Sequence, residues 1–270
     1  MDLLQIPLAS LLAERAAAFR TTPWASWCRA HWPVPVLVAA AYLLAVLVGG
    51  RWLRLCGCGG RPLSLAAPLL AWNVLLAGFS LAGLGAIAPP FLRDLAALGP
   101  AELLCPRSGI AGEHIERGAR GVALLLFMLS KIPELADTGF LIARGRPVGL
   151  LHWFHHATVL LYCWFAYSAR SSSGLFFCAM NYLVHSVMYA YFAAVAAGYK
   201  PSWGAHVTRL QIAQMVAGVA IVASSAWLQL ALGRSCEEPV VLAAAAAMYC
   251  AYLALFVRFY MNRSATKSEQ

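Results

Sequence analysis

The chain has 270 residues, of which 61% are hydrophobic and only 11% charged, where soluble domains carry roughly 25% charged residues. That balance excludes an ordinary water-soluble enzyme or binding domain, and no polar stretch is long enough to form one beside the apolar segments. The formal net charge of +9 does not point to nucleic acid, because the basic residues fall in short clusters between apolar runs, with no basic stripe or nucleic-acid module.

In chain order, Met1 to His31 reads as a lumenal lead-in, with a mildly amphipathic stretch from Leu3 to Phe19 that is taken as solvated rather than interfacial. The first apolar run begins near Trp32 and is followed by no small-residue cleavage site, so insertion through the chain's own spans is expected. Apolar runs of about 20 residues lie near 33–50, 63–88, 119–142, 149–168, 174–197, 205–232 and 239–261. The expected fold is therefore all-α integral membrane, a single polytopic domain over 1–270 with seven transmembrane helices. Arg51, Arg54 and Arg61 follow the first span, Arg144 and Arg146 the third, Lys200 the fifth, and Arg258, Arg263 and Lys267 surround the tail. These alternate gaps should face the cytosol, which puts the amino terminus in the lumen and the carboxyl terminus, 262–270, in the cytosol.

The same orientation sorts the eight cysteines. Only Cys28, Cys105 and Cys236 reach the oxidising side, and a Cys105–Cys236 disulfide is expected to tie the loop after the second span to the loop after the sixth. Cys56 and Cys58 make a weak zinc pattern on the reducing side. Cys163, Cys178 and Cys250 are read as packing residues.

Ionisable groups inside a span are costly, about 2.5–3.5 kcal/mol for a central charge on insertion scales. Here the third span carries Lys131, Glu134, Asp137 and Thr138, the fourth His152, His155 and His156, the fifth Asn181, His185 and Tyr189, and the sixth Thr208, Gln211 and Gln214. From a rise of about 1.5 Å per residue, these groups fall at similar depth, roughly 5–20 Å inside the cytosolic boundary. Spacings of three or four put Lys131 with Glu134, His152 with His156, Asn181 with His185 and Gln211 with Gln214 on shared faces. One polar cavity is the economical reading, with a kink at Pro133 beside Lys131. Interhelical hydrogen bonding would account for Thr208 or Gln211 alone. Glu134 reads equally as an ion-pair partner of Lys131. His31, His114 and His206 have no comparable surroundings and are given no role.

A His-x-x-His-His cluster admits two chemistries. Membrane desaturases hold two iron ions with several such boxes, but a site of that kind takes about eight nitrogen ligands and no further box is present here; a single metal on His152, His155 and His156 is the smaller version. Alternatively imidazole acts without metal, taking an acyl group from a thioester and moving protons near neutral pH. A receptor or lipid carrier would share the span count, yet has little use for four imidazoles and a lysine in one pocket.

At these residues the sequence resembles a known family. Lys131-Ile-Pro-Glu134-Leu-Ala-Asp137-Thr138, His152-Trp-Phe-His155-His156, His185-Ser-Val-Met188-Tyr189 and Thr208-Arg-Leu-Gln211-Ile-Ala-Gln214 are similar, in order, to the signatures of the eukaryotic elongation of very long chain fatty acids family. The resemblance covers roughly 33–262, and the His-Trp-Phe-His-His form with Leu129-Ser130-Lys131 looks most like the branch acting on saturated and monounsaturated chains, the third and sixth elongase paralogues. It implies that spans two to seven enclose a substrate tunnel open to the cytosol. It also implies condensation of a long-chain acyl-CoA with malonyl-CoA to 3-ketoacyl-CoA, carbon dioxide and CoA. Carried over, His155 and His185 would handle the acyl group, His152, His156 and Asn181 would orient them, and Lys131 with Asp137 would complete the catalytic set. Glu134, Tyr189, Thr208, Gln211 and Gln214 would line the substrate site. Lys200 and Arg258, with Arg144 and Arg209, stand where CoA phosphates would enter, although orientation alone also calls for basic residues there. No metal and no cofactor beyond the two CoA substrates is expected. The implied partners are membrane lipid and the other enzymes of the elongation cycle, with a homo-oligomer left open. Residence in the endoplasmic reticulum membrane rests on the resemblance, since the tail after Ala265 has a single lysine, Lys267. The sequon Asn262-Arg263-Ser264 falls on the cytosolic side and should stay unmodified.

Overall fold

A computed structural model describes residues 16–55, 65–106 and 117–268. The Leu3–Phe19 stretch falls mostly outside them, as do Cys56, Cys58, Arg61 and His114. The helices are α1 (Thr22–Ala30), α2 (Pro33–Leu55), α3 (Ala66–Leu98), α4 (Pro100–Leu104), α5 (Gly118–Ser130), α6 (Ala136–Ala143), α7 (Leu150–Ser168), α8 (Gly174–Ala196), α9 (Gly204–Leu230) and α10 (Pro239–Ser268), with a 3₁₀ turn at Pro133–Leu135. Among the described residues there is no strand, only an isolated bridge between Arg20 and Arg117.

Among the described residues four helices, α3, α8, α9 and α10, are long and apolar enough to cross a membrane, or five spans if α1 and α2, bent by 61°, count as one. The chain is thus an all-α, multi-pass membrane protein. The 149–168 run folds as one helix but misses that standard, because His152, His155 and His156 lower the hydropathy of α7. The 119–142 run misses it because it is broken. Pro133 has no N–H to offer the Leu129 carbonyl, and Ile132 takes that carbonyl instead at 3.1 Å, a tighter i→i−3 bond that converts the α-helix to 3₁₀.

Two sequence boundaries need correction. The run ending at 88 continues as α3 through Pro89 and Pro90 to Leu98. Missing proline N–H groups weaken this stretch, but packing holds it: Phe91 meets the edge of Phe176 at 5.0 Å, and Asp94 pairs with the nearly buried Arg120. Thr22–Ala30, read as part of a solvated lead-in, is a helix that buries Ala25 and Cys28. Trp164 on α7 donates its Nε1–H to the Cys28 carbonyl at 2.9 Å, so Cys28 packs. Cys250, read as a packing residue, is exposed.

The helix contacts close into a ring in the order α3, α8, α9, α10, α7, α5 and back to α3. Helices α1 and α2 lie outside it, against α7, with α2 also touching α6. Three ring joints use a glycine to let an aromatic ring lie against backbone. A Cβ on Gly83 of α3 would strike the ring of Tyr182, one on Gly218 of α9 that of Tyr249, and one on Gly204 the hydroxyl of Tyr191. Tyr182 then reaches across the bundle to donate to the Ala123 carbonyl of α5 at 2.9 Å. One end of the ring is tied shut. Cys105 and Cys236 are joined by a disulfide with Cα atoms 4.4 Å apart. Beside it Glu237 accepts from the Ser171 hydroxyl at 2.8 Å and the Ser173 N–H at 2.7 Å, linking the start of α10 to the start of α8.

The glycine contacts give a stability test. Gly83→Ala should lower stability in detergent by about 1–3 kcal/mol through overpacking against Tyr182. Gly78→Ala on the same helix meets nothing within 4 Å and should be neutral or stabilising by up to about 1 kcal/mol. Thermal unfolding of the two variants checks the pair, and equal melting temperatures would contradict the packing described.

Candidate functional site

The polar side chains of the ring helices converge inside it because the break after α5 turns consecutive positions inward. Lys131 is 2% and Glu134 4% exposed. The Lys131 Nζ donates to Glu134 Oε1 at 2.7 Å and Oε2 at 3.0 Å, and Ser130 donates to the same Oε1 at 2.7 Å. The ammonium also reaches Asn181 Oδ1 on α8 at 3.3 Å and stands 4.3 Å from the centre of the Phe127 ring. Such a pair in an apolar bundle is stable only because its remaining protons and lone pairs are met by Ser130 and Asn181. Glu134 therefore sits as the counter-charge of Lys131.

Past the 3₁₀ turn, Asp137 and Thr138 open α6. Asp137 accepts from Trp72 Nε1 at 2.6 Å and from the Tyr189 hydroxyl at 2.9 Å, which joins α6 to α3 and α8. The Tyr189 ring meets His185 edge-on at 5.3 Å. Thr138 lies 2.8 Å from His152 Nε2 and 2.9 Å from Tyr42 Oη, linking α6 to α7 and to the outer helix α2.

The first turns of α7 carry the histidines. His152 and His156 have ring centres 4.5 Å apart, one turn along a shared face. His155 meets His156 at 5.7 Å and Tyr252 of α10 at 4.7 Å. The Tyr252 hydroxyl is 2.6 Å from Thr158 Oγ1 and donates to the His155 carbonyl at 3.2 Å. His155 Nδ1 is buried and has no hydrogen-bond partner, and His185, on the facing helix, lies within electrostatic range of it. This is a buried ring nitrogen that no protein atom engages, beside three other imidazoles and an ammonium. It suits a nucleophile or a proton acceptor.

The remaining sequence candidates divide. Gln211 donates to Met188 Sδ at 3.3 Å, Gln214 is buried, and Thr208 turns back to its own helix, donating to the Gly204 carbonyl at 3.5 Å. These three lie on α9, and among the described residues no hydrogen bond joins them to the histidines. Lys200 and Arg258 are exposed, outside the buried cluster. Arg209 donates to the Tyr260 hydroxyl at 3.0 Å. Sequence reasoning did not single out Trp72, Tyr42, Tyr252 or Ser130 as site residues. An aromatic residue in an apolar helix gives no periodic or spacing signal, and only the position of Ser130 beside Lys131 offered a hint. Among the described residues no three His, Cys, Asp or Glu side chains are grouped so as to hold a metal ion.

Comparison with known proteins places this geometry in a lineage. The model of the ELO family, described as GNS1/SUR4, matches residues 27–270, which takes in every helix of the ring. The chain belongs to the GNS1/SUR4 family. Within the family it is 36% identical over 265 residues to very long chain fatty acid elongase 6 of Drosophila melanogaster, covering 96% of this chain and 81% of that protein. It is 35% identical over 268 residues to fatty acid elongase 3 of Trypanosoma brucei brucei, covering 90% and 87%. It is also 35% identical over 239 residues to very long chain fatty acid elongase 6 of Gallus gallus, covering 87% and 86%. The resemblance drawn from the four motifs is thereby established across the whole ring.

The buried pair can be tested apart from activity. Lys131→Met or Glu134→Leu alone strands an uncompensated charge and should cost about 3–5 kcal/mol, whereas the double replacement should cost clearly less than the sum. Denaturation of the three variants in mild detergent measures this. Additive losses would mean that the two side chains are not one electrostatic unit.

Proposed function

We propose that the chain is a fatty-acid elongation enzyme, a very-long-chain 3-oxoacyl-CoA synthase. It would condense a saturated or monounsaturated long-chain acyl-CoA with malonyl-CoA to give 3-ketoacyl-CoA, carbon dioxide and CoA. The observation that carries the reading is His155, whose buried Nδ1 has no partner, inside a ring that also holds the buried His156, His185, Asn181 and Lys131. Membership of a family whose named relatives are fatty-acid elongases supports the substrate class.

In the proposed reaction an imidazole nitrogen attacks the thioester carbonyl, the carbon–sulfur bond breaks, and CoA leaves as the thiol with the imidazole proton. Malonyl-CoA then loses carbon dioxide, and the electron pair of the broken bond becomes an enolate that attacks the acyl-imidazole carbonyl. A carbon–carbon bond forms, the acyl–nitrogen bond breaks, and the imidazole departs with a proton from a neighbouring protonated histidine, the one proton that the net condensation consumes. Lys131, Asn181 and protonated histidine are the groups suited to stabilise the developing oxyanions. The chemistry needs no metal or further cofactor.

The seven helical segments α2, α3, α5 with α6, α7, α8, α9 and α10 would each span the bilayer, with the six-membered ring α3 to α10 enclosing the acyl tunnel. The amino terminus would be lumenal and the carboxyl terminus cytosolic, in the endoplasmic reticulum membrane. The basic Lys200, Arg209 and Arg258 would flank the cytosolic mouth, where CoA enters. The disulfide end would then face the oxidising lumen, which is the compartment such a bond requires.

Purified wild type in detergent should elongate stearoyl-CoA with malonyl-CoA, and the activity should survive a metal chelator. His155→Ala should lower it by at least about 10³-fold, as loss of a nucleophile does. Loss of activity on chelation would favour the metalloenzyme reading, and no product with any long acyl-CoA would favour a carrier.

A further inference from the structure

Tyr42 lies on α2, outside the ring, yet its hydroxyl ends a chain that enters the site: Tyr42 Oη to Thr138 Oγ1, 2.9 Å, and Thr138 Oγ1 to His152 Nε2, 2.8 Å. Tyr42 is 6% and Thr138 1% exposed, so each hydroxyl proton in the chain must find an acceptor among protein atoms. Neither hydroxyl makes any other hydrogen bond among the described residues. Three proton arrangements are then conceivable. If His152 donates from Nε2 to Thr138 and Thr138 donates to Tyr42, the Tyr42 proton is buried with no acceptor. If His152 and Tyr42 both donate to Thr138, the Thr138 proton is stranded. Only when Tyr42 donates to Thr138 and Thr138 donates to the Nε2 lone pair is each buried hydroxyl proton placed, and a stranded buried donor costs about 1–3 kcal/mol.

We infer that Thr138, whose oxygen takes the Tyr42 proton and whose own proton then has only Nε2 to go to, holds His152 as the Nδ1–H tautomer, so that His152 serves the condensation as a hydrogen-bond donor to a substrate oxygen and not as nucleophile or base. The inference rests on the function proposed above. Once Nε2 is occupied, Nδ1 carries the only exchangeable proton of a half-buried ring. It makes no hydrogen bond to the protein, and the ring is fixed 4.5 Å from that of His156. Such a donor can meet the thioester or enolate oxygen as negative charge grows on it. The assignment also separates the two imidazoles one turn apart: His152 has its basic nitrogen committed, whereas His155 keeps Nδ1 unpartnered. Thr138 is thus a positioning residue, and its partner Tyr42 comes from a helix that forms no part of the ring.

The test is nitrogen NMR of ¹⁵N-histidine-labelled protein in detergent, with the His152 signals assigned by difference from His152→Gln. His152 should show an unprotonated Nε2 and a protonated Nδ1 in the wild type, and Thr138→Val, which keeps the side-chain shape and removes the hydroxyl that donates to Nε2, should populate the other tautomer. The same variant should lose about tenfold in kcat with the KM for acyl-CoA changed by less than about twofold, as expected when an interaction made in the transition state is weakened. Tyr42→Phe leaves the Thr138 hydroxyl no acceptor but Nε2 and should keep the wild-type tautomer. A protonated Nε2 in the wild type, or a tautomer and kcat both untouched in Thr138→Val, overturns the inference. If the wild type forms no 3-ketoacyl product, the proposed function fails while the spectra still decide the tautomer.

Discussion

A lysine almost wholly withdrawn from solvent inside an apolar bundle has to be neutralised where it stands, and that requirement organises the structure around it. Lys131 and Glu134 can pair only if both point inward from one short stretch, and the 3₁₀ turn begun by Pro133 lets them do so at a spacing of three. The pair then needs its outer hydrogen-bonding capacity met, by Ser130 before it and by Asn181 from α8. Asn181 shares its helix face with His185, so the demand for a counter-charge also brings the two halves of the imidazole cluster together. Without this pair the ammonium could not be held in the interior, and its cost would fall on folding.

The aromatic hydroxyls and ring nitrogens do a second job of the same kind. Trp72, Tyr189, Tyr42 and Tyr252 each offer a polar tip to a group near the site while their rings pack among apolar neighbours. They tie α3, α8, α2 and α10 to the short segments that carry the chemistry, and α6, with eight residues, would have little else to fix it. Glycines opposite tyrosines make the tight joints between α3 and α8 and between α9 and α10, so the bundle closes without relying on long polar contacts at the lipid-facing surface.

Much of this was legible in the sequence. Lys131 and Glu134 announced themselves as charges three apart in an apolar run, and Pro133 announced the break between α5 and α6. His152 with His156 and Asn181 with His185 were placed on common faces by helical period alone. Within the described residues each of the seven apolar runs is helical, the third broken at Pro133, and the orientation argument led to the cysteine pair that the structure joins. What the sequence did not carry were contacts between residues far apart in the chain and unremarkable where they stand. Tyr42 and Thr138 are separated by 96 residues, Trp72 and Asp137 by 65, and His155 and Tyr252 by 97. A Tyr or Trp in an apolar helix reads as packing until its partner is known. The extension of α3 past Pro89 and Pro90 was missed for the opposite reason, a strong local breaker overridden by tertiary contacts.

The account turns on an imidazole in this ring taking the acyl group before the second substrate arrives. The direct measurement is CoA release when purified protein meets stearoyl-CoA alone, followed by mass mapping of the acylated peptide. The account predicts up to one equivalent of CoA per chain in the absence of malonyl-CoA, with the acyl mass on the peptide bearing His155 or the one bearing His185. Release that begins only when malonyl-CoA is added, with no acylated histidine at any time, would contradict it.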